Sequence, residues 1–230
     1  MRTCRACGSA DLGPLPFPVP LHRGAWLRCA TCGSDSNNLP YIAEHYTPTL
    51  SEIAERDGGG DAKMREQVKY NVDLLEGCRG ELPDNTFLDV GCCDGAAMRE
   101  LGDRGWATHG FDVFMPPWGD TDLVTVGPNL NRWQFPRRYS AVMCREVLEH
   151  VDHPQGLLHE LHACALPGGI VQVQTPSPLS AWTVEWVYIP GHLCIFSPGM
   201  LKRMMTAARL EMLFEYHWDG GQVYVTRALA

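Results

Sequence analysis

No stretch of the 230 residues approaches the roughly 20 consecutive apolar residues that a bilayer-spanning helix needs. The opening MRTCRACGSA lacks the apolar core of a secretory signal, which leads us to expect a soluble cytoplasmic protein with no membrane partner. Basic residues are the scarcer charge, 19 Lys and Arg against 27 Asp and Glu, for a formal charge of −8. Phosphate backbones are held mostly by cationic side chains, so this balance counts against a nucleic-acid partner. A local basic group does exist at Arg132, Arg137 and Arg138. Hydrophobic residues make up 45% of the chain, enough for the core of one medium domain with a small appendage.

Cysteine is not scarce. There are 10, and in a chain without an export signal they are expected to be reduced, metal-bound or buried. Four form two pairs, Cys4-x-x-Cys7 and Cys29-x-x-Cys32. Two thiolates three residues apart in a tight turn take adjacent corners of a metal tetrahedron, and a second such turn closes it. Gly8 and Gly33 follow the two pairs, where a knuckle needs backbone freedom. The proline-rich stretch between the pairs has too few apolar residues to fold alone, so metal binding would supply folding energy. The spacing resembles a zinc ribbon, which implies structural Zn2+ on Cys4, Cys7, Cys29 and Cys32 with no open coordination position. Four unrelated reduced cysteines, His22 replacing one thiolate, or a redox pair are the alternatives. Cys78, Cys92, Cys93, Cys144, Cys164 and Cys194 show no ligand spacing and read as small core residues.

This divides the chain into a Cys4 module over 1–40, a linker and helical segment over 41–80, and a main domain over 81–230. Residues 34–60 read as polar and irregular, with SDSNN and a run of glycines at 58–60. Met64, Val68, Val72 and Leu75 recur at helical spacing and predict a helix over 62–78. Strands are then predicted at 87–90, 107–111, 122–126, 140–144 and 170–174, with a turn at Pro167-Gly168-Gly169 before the last. Helices are predicted at 94–104, 154–165 and 198–208, and two final strands at 211–216 and 223–227. Alternation of this kind gives an α/β fold with a largely parallel sheet, whose ligands bind beyond the carboxyl ends of the strands.

The chemistry-bearing residues fall at that end. Asp89-Val90-Gly91-Cys92-Cys93-Asp94-Gly95 links the first of these strands to a helix, and Asp112 ends the next strand. Glycines allow close backbone approach, a helix N-terminus offers free N–H groups, and a carboxylate at a strand end can accept both hydroxyls of a ribose. The loop is not the dinucleotide GxGxxG pattern. It resembles the DxGxGxG motif of class I methyltransferases, with Cys93 in place of a glycine. MCREVLEHV (143–151) resembles the VLEHV segment of a branch that methylates small molecules. Leu166-Pro167-Gly168-Gly169 and His192-Leu193-Cys194-Ile195-Phe196-Ser197 match further landmarks, the resemblance running over about 62–230.

The resemblance implies a Rossmann-like seven-stranded methyltransferase sheet and S-adenosylmethionine as cofactor. It carries cofactor contacts to Asp89, Gly91, Cys93, Gly95 and Asp112; Glu146 and Glu149 are read as orienting the cofactor or a helix start. His192 and His150 are the candidate bases, since imidazole removes a proton near neutral pH. Trp182, Trp186 and Tyr188 in the 177–197 segment could form an aromatic lid. The expected reaction is methyl transfer to an oxygen, nitrogen or carbon of a small-molecule, sugar or natural-product acceptor. An RNA methyltransferase docking through the Cys4 module, and a non-catalytic scaffold spoiled at Cys93, are the competing readings. Oligomeric state is left open.

Overall fold

The computed structural model describes residues 3–16, 19, 26–37, 62–113, 124–127, 135, 137–178, 187–188, 191–218 and 221–230. His22, Arg132, Trp182, Trp186 and the glycines at 58–60 lie outside them, as does the side chain of Met64. Among the described residues, no helix is long and apolar enough to cross a membrane.

In chain order the elements are β1 (Leu12–Pro14), β2 (Trp26–Cys29), β3 (Asp35–Asn37), α1 (Ala62–Gly77), β4 (Thr86–Val90), α2 (Ala96–Asp103), β5 (Ala107–Asp112), β6 (Val124–Val126) and β7 (Tyr139–Arg145). A 3-10 turn at Leu148–His150 leads to α3 (Pro154–Cys164), β8 (Ala165–Pro176), β9 (Cys194–Ile195), α4 (Pro198–Ala207), β10 (Leu210–Trp218) and β11 (Gly221–Ala228). Seven strands form one sheet in the order β10-β11-β8-β7-β4-β5-β6. β6, β5, β4, β7 and β8 pair in parallel, while β11 is antiparallel to both its neighbours.

The sheet is covered on both faces for the reason the patterning gives. On one side, Val68, Val72 and Leu75 of α1 and Ala97, Met98 and Leu101 of α2 meet Phe87, Ala141, Met143 and Ile170. On the other, Leu157, Leu158 and Leu161 of α3 and Leu201, Met204 and Met205 of α4 meet Leu88, Val142 and Val171. Pro154 opens α3, and Ser197 caps α4 by accepting from Met200 N. The strand order reverses at β4 and β7, so the crevice for a ligand lies beyond their carboxyl ends.

Three expectations change. α2 begins at Ala96, since Gly95 before it is left-handed at φ +78° and cannot continue a right-handed helix. Pro167-Gly168-Gly169 lies inside β8 rather than in a turn before it. The pairing with β7 slips between Tyr139 and Ala141, and Gly168 has φ +79°, so the three residues form a bulge. The polar run after Cys32 is no loop: Ser34, Asp35, Ser36 and Asn37 are all fully buried.

That run is β3, the third strand of a second sheet in the order β1-β2-β3-β9. Its fourth strand comes from residues 194–195, so the N-terminal sheet is completed by the chain's C-terminal half. Burial of four polar residues is offset by hydrogen bonds on every side. Arg28 pairs with Asp35 through both carboxylate oxygens at 2.7 and 2.8 Å, and Tyr188 OH donates to Asp35 Oδ2. Ser34 Oγ accepts from Ser197 N at 3.0 Å, and Asn37 Nδ2 donates to the His192 carbonyl at 3.2 Å.

Candidate functional site

The β4–α2 loop is held in one shape by its own backbone. Gly91 N and Cys92 N both donate to the Phe111 carbonyl, at 2.7 and 3.3 Å, tying the loop to the end of β5. Gly91 has φ +79°, and a Cβ there would run into Val147 Cγ2. Cys93 N donates to Asp112 Oδ2 at 2.7 Å, so the acid ending β5 also anchors the loop. Asp89, Gly91, Cys93, Gly95 and Asp112 are thus brought together at the carboxyl ends of β4 and β5.

Cys93 departs from its expected place in the core: it is exposed. Its φ of +48° puts it in the left-handed region, the conformation glycine supplies at no steric cost. The loop therefore keeps the shape of a glycine loop, at a backbone cost of about 1–2 kcal/mol. Cys93→Gly removes that cost but adds chain entropy, for a net gain of up to about 1 kcal/mol. A thermal midpoint higher by about 1–4 °C is the expected result, checked by differential scanning calorimetry.

Asp89 is buried, and burial pushes its carboxyl up to about 7 despite the nearby Arg145. The folded chain thus binds more protons than the unfolded one between about pH 4 and 7, so stability falls as pH rises through that window and levels above it. A shift of this size corresponds to a few kcal/mol. Asp89→Asn should flatten the slope in denaturant melts between pH 4.5 and 7.5; an unchanged slope would contradict this assignment.

Glu146 ends the β7 connection with φ +54°, a second left-handed residue at the same rim. Its N–H donates to the Gln174 carbonyl at 2.9 Å, and its Oε1 accepts from Gln174 Nε2 at 2.8 Å. Gln174 Oε1 in turn accepts from Asn71 Nδ2 at 2.6 Å, and Gln172 Nε2 donates to Asn71 Oδ1. A buried amide ladder from α1 through β8 thereby sets the Glu146 carboxylate.

His150 and His192 lie together, with ring centroids 4.6 Å apart and planes at 71°. Each directs Nδ1 to a backbone carbonyl: His150 to Gly191 O at 2.8 Å and His192 to Val187 O at 2.6 Å. A carbonyl only accepts, so each Nδ1 carries the hydrogen and the Nε2 of each neutral ring is unprotonated. Burial pushes His150 down to about 4, and burial and then His150 push His192 well down, so both rings are neutral at pH 7. His150 is half-buried and His192 is buried.

Both Nε2 atoms lie near Glu149, which the sequence reading pairs with Glu146 as an orienting residue and not with the histidines. Glu149 is fully buried, its Oε2 accepts from Thr175 Oγ1 at 2.9 Å, and its Oε1 has no hydrogen-bond partner among the described residues. That oxygen lies 3.8 Å from His150 Nε2 and 4.0 Å from His192 Nε2. Burial and the neighbouring Glu146 push the Glu149 carboxyl up. Two lone pairs and a carboxyl oxygen converging on one small space can hold a proton, and the same three groups could hold a cation. Tyr188 does not join a lid: it is buried edge-on against Trp26, centroids 4.9 Å apart, with its hydroxyl on Asp35.

The four N-terminal thiols also come together. Cys4 and Cys32 Sγ lie 3.6 Å apart, as do Cys7 and Cys29, and all four fall within 4.8 Å. A tetrahedron with metal–sulfur bonds near 2.3 Å has an edge of about 3.8 Å, so the spacing fits. The two halves repeat one geometry: Gly8 N donates to Cys4 O and Gly33 N to Cys29 O, each at 2.8 Å, with φ of +75° and +73° at the glycines. Hydrogen bonding with Cys32 draws the Cys4 thiol down. Cys92, Cys144, Cys164 and Cys194 are buried as expected, and Cys78 half-buried.

Residues 43–214 match the family described as methyltransferase domain. The chain belongs to that family. It is 28% identical over 137 residues to a ubiquinone biosynthesis O-methyltransferase of Pseudoalteromonas translucida, covering 54% of this chain and 58% of the relative. It is 30% identical over 157 residues to the Aeromonas salmonicida protein of the same name, covering 62% and 64%. The chain thus spans about three-fifths of the length of these relatives. Among solved structures, the fold is similar to a Burkholderia thailandensis 1,6-didemethyltoxoflavin-N1-methyltransferase with bound 1,6-didemethyltoxoflavin and S-adenosylhomocysteine. The TM-score is 0.61 at 14% identity, over 87% of this chain and 97% of that one. The methyltransferase sheet expected from the sequence is therefore present. The family match begins at residue 43, beyond the four clustered cysteines.

Proposed function

We propose that this methyltransferase-family chain transfers a methyl group from S-adenosylmethionine to a hydroxyl or amine of a small-molecule acceptor, a hydroxyl being favoured. The observation that carries this is the meeting, beyond β4, β5 and β7, of the Gly91–Gly95 loop with Asp112, and of two unprotonated imidazole nitrogens with Glu149. The donor set suits the cofactor: Asp112 is a carboxylate at the end of β5, the chemistry that accepts ribose hydroxyls, and Asp89 and Glu146 put further acidic groups beside a cationic ligand. When bound, that cofactor supplies a methyl group already activated on a sulfonium.

The protein's own part is alignment and proton removal. His192 and His150 have an unprotonated Nε2 at neutral pH, so either can accept a hydroxyl proton, with the Glu149 carboxyl oxygen within 4.0 Å of both nitrogens. The names of the curated relatives support oxygen as the acceptor atom and a small molecule as the substrate. The Cys4 cluster holds structural zinc in this reading, because four thiolates fill its coordination shell.

The test is label transfer from tritiated S-adenosylmethionine to phenolic and sugar hydroxyl probes, starting with 3,4-dihydroxybenzoate. His192→Gln and His150→Gln should each lower turnover by about 10²–10⁴-fold and leave cofactor affinity within about threefold. Label transfer unaffected by either change would remove both histidines from the mechanism. Failure of the cofactor-loaded wild type to label any hydroxyl or amine probe would refute the proposed reaction.

A further inference from the structure

The cysteine knuckles and the histidine pair are joined by direct contacts. Arg5, inside the first knuckle, donates from Nε to the Asn37 carbonyl at 3.2 Å and from Nη1 to Asp152 Oδ1 at 2.7 Å, just past the turn carrying Glu149 and His150. Arg5 N also donates to Ser36 Oγ at 3.1 Å. From the second knuckle, the Cys32 carbonyl accepts from Ser197 Oγ. Just after the second knuckle, β3 lies along residues 192–195: Ser36 pairs with Cys194, Asn37 N donates to Leu193 O at 2.9 Å, and Asn37 Nδ2 donates to His192 O. On its other edge the same segment is tied to the turn, since Leu193 N donates to Glu149 O at 2.7 Å.

We propose that the Cys4 metal centre is a positioning element for the acceptor side of the site. With both knuckles closed, Arg5, Asn37 and the Cys32 carbonyl clamp residues 191–197 against the 148–152 turn, and only then do both Nε2 atoms converge on Glu149. Asn37 is the central positioning residue: it is fully buried and holds the backbone of His192 and Leu193 by two hydrogen bonds. The cofactor loop sits elsewhere, on β4 and β5, which the knuckles do not reach through any of these bonds. The metal therefore governs where the proton is taken and leaves the cofactor end alone. This rests on the reading of His150 and His192 as the acceptor-side groups.

The experiment uses the full chain, zinc-loaded and after chelation, with two variants that keep all four cysteines: Asn37→Ala and the milder, surface-accessible Arg5→Ala. Hydrogen exchange, histidine imidazole resonances and calorimetric titration with S-adenosylmethionine are read on each. Chelation and Asn37→Ala should lower amide protection over 191–195 by at least about tenfold and shift the imidazole signals of His150 and His192. Protection over 86–90 and 139–145, and cofactor affinity, should stay within about threefold. Arg5→Ala should give the same pattern more weakly. Unmoved imidazole signals after zinc removal, a uniform loss of protection along the chain, or a chain that takes up no zinc would each overturn the proposal. Absence of cofactor binding to the zinc-loaded wild type would instead sink the proposed reaction, with the exchange and imidazole results still judging the coupling.

Discussion

Asp112→Ala should weaken S-adenosylmethionine binding by about 100-fold or more in calorimetric titration. Two losses combine. A carboxylate that accepts both ribose hydroxyls makes two charge-assisted hydrogen bonds, each worth roughly 1.5–3 kcal/mol. The same carboxylate holds Cys93 N at 2.7 Å, so its removal also frees a loop that has to be preorganised to bind. Asp112→Asn, which keeps one acceptor oxygen, should lose about tenfold. An alanine variant that binds within threefold of the wild type would show that the ribose is not held here.

Gly91→Ala should be the most damaging single substitution in the loop for stability. Its φ of +79° costs an alanine about 1–2 kcal/mol, and the added Cβ meets Val147, which is itself buried. Overpacking of this kind costs roughly 1–3 kcal/mol more. Together these predict a loss of about 2–5 kcal/mol, a fall in thermal midpoint on the order of 10 °C for a domain of this size. The two causes can be separated: Val147→Ala in the same chain relieves the clash and not the backbone strain. A double-mutant cycle should therefore give a favourable coupling of at least about 1 kcal/mol. Strict additivity would mean that the loop moves away from Val147 and that the crowding is not real.

Much of this site is legible in the sequence because it depends on local rules. Apolar spacing marks α1, α3 and α4, and alternation marks the parallel strands. Gly91, Gly95 and the paired cysteines sit at positions whose φ or ligand spacing demands those residue types. What escapes is held by partners far away in the chain. β3 and Ser34 before it have no apolar residue to announce them; they are buried because Arg28, Tyr188, Ser197 and His192 answer their polar groups. In β8 the alternation Val171-Gln172-Val173-Gln174 reads as one wet face, yet both glutamines are buried against Asn71 of α1. Glu149 gives no local sign of its orphaned oxygen, which exists only because two histidines 42 residues apart in sequence, His150 and His192, fold onto it. The left-handed backbone at Cys93 and Glu146 is likewise invisible, since neither residue type favours it.

The proposed function requires the β4–α2 loop and Asp112 to hold S-adenosylmethionine even with Cys93 in a glycine's place. Calorimetric titration of the zinc-loaded wild-type chain with S-adenosylmethionine, repeated with S-adenosylhomocysteine, decides whether they do. One binding site per chain, lost in Asp112→Ala, is the predicted result; no heat of binding for either ligand from a folded chain would contradict it.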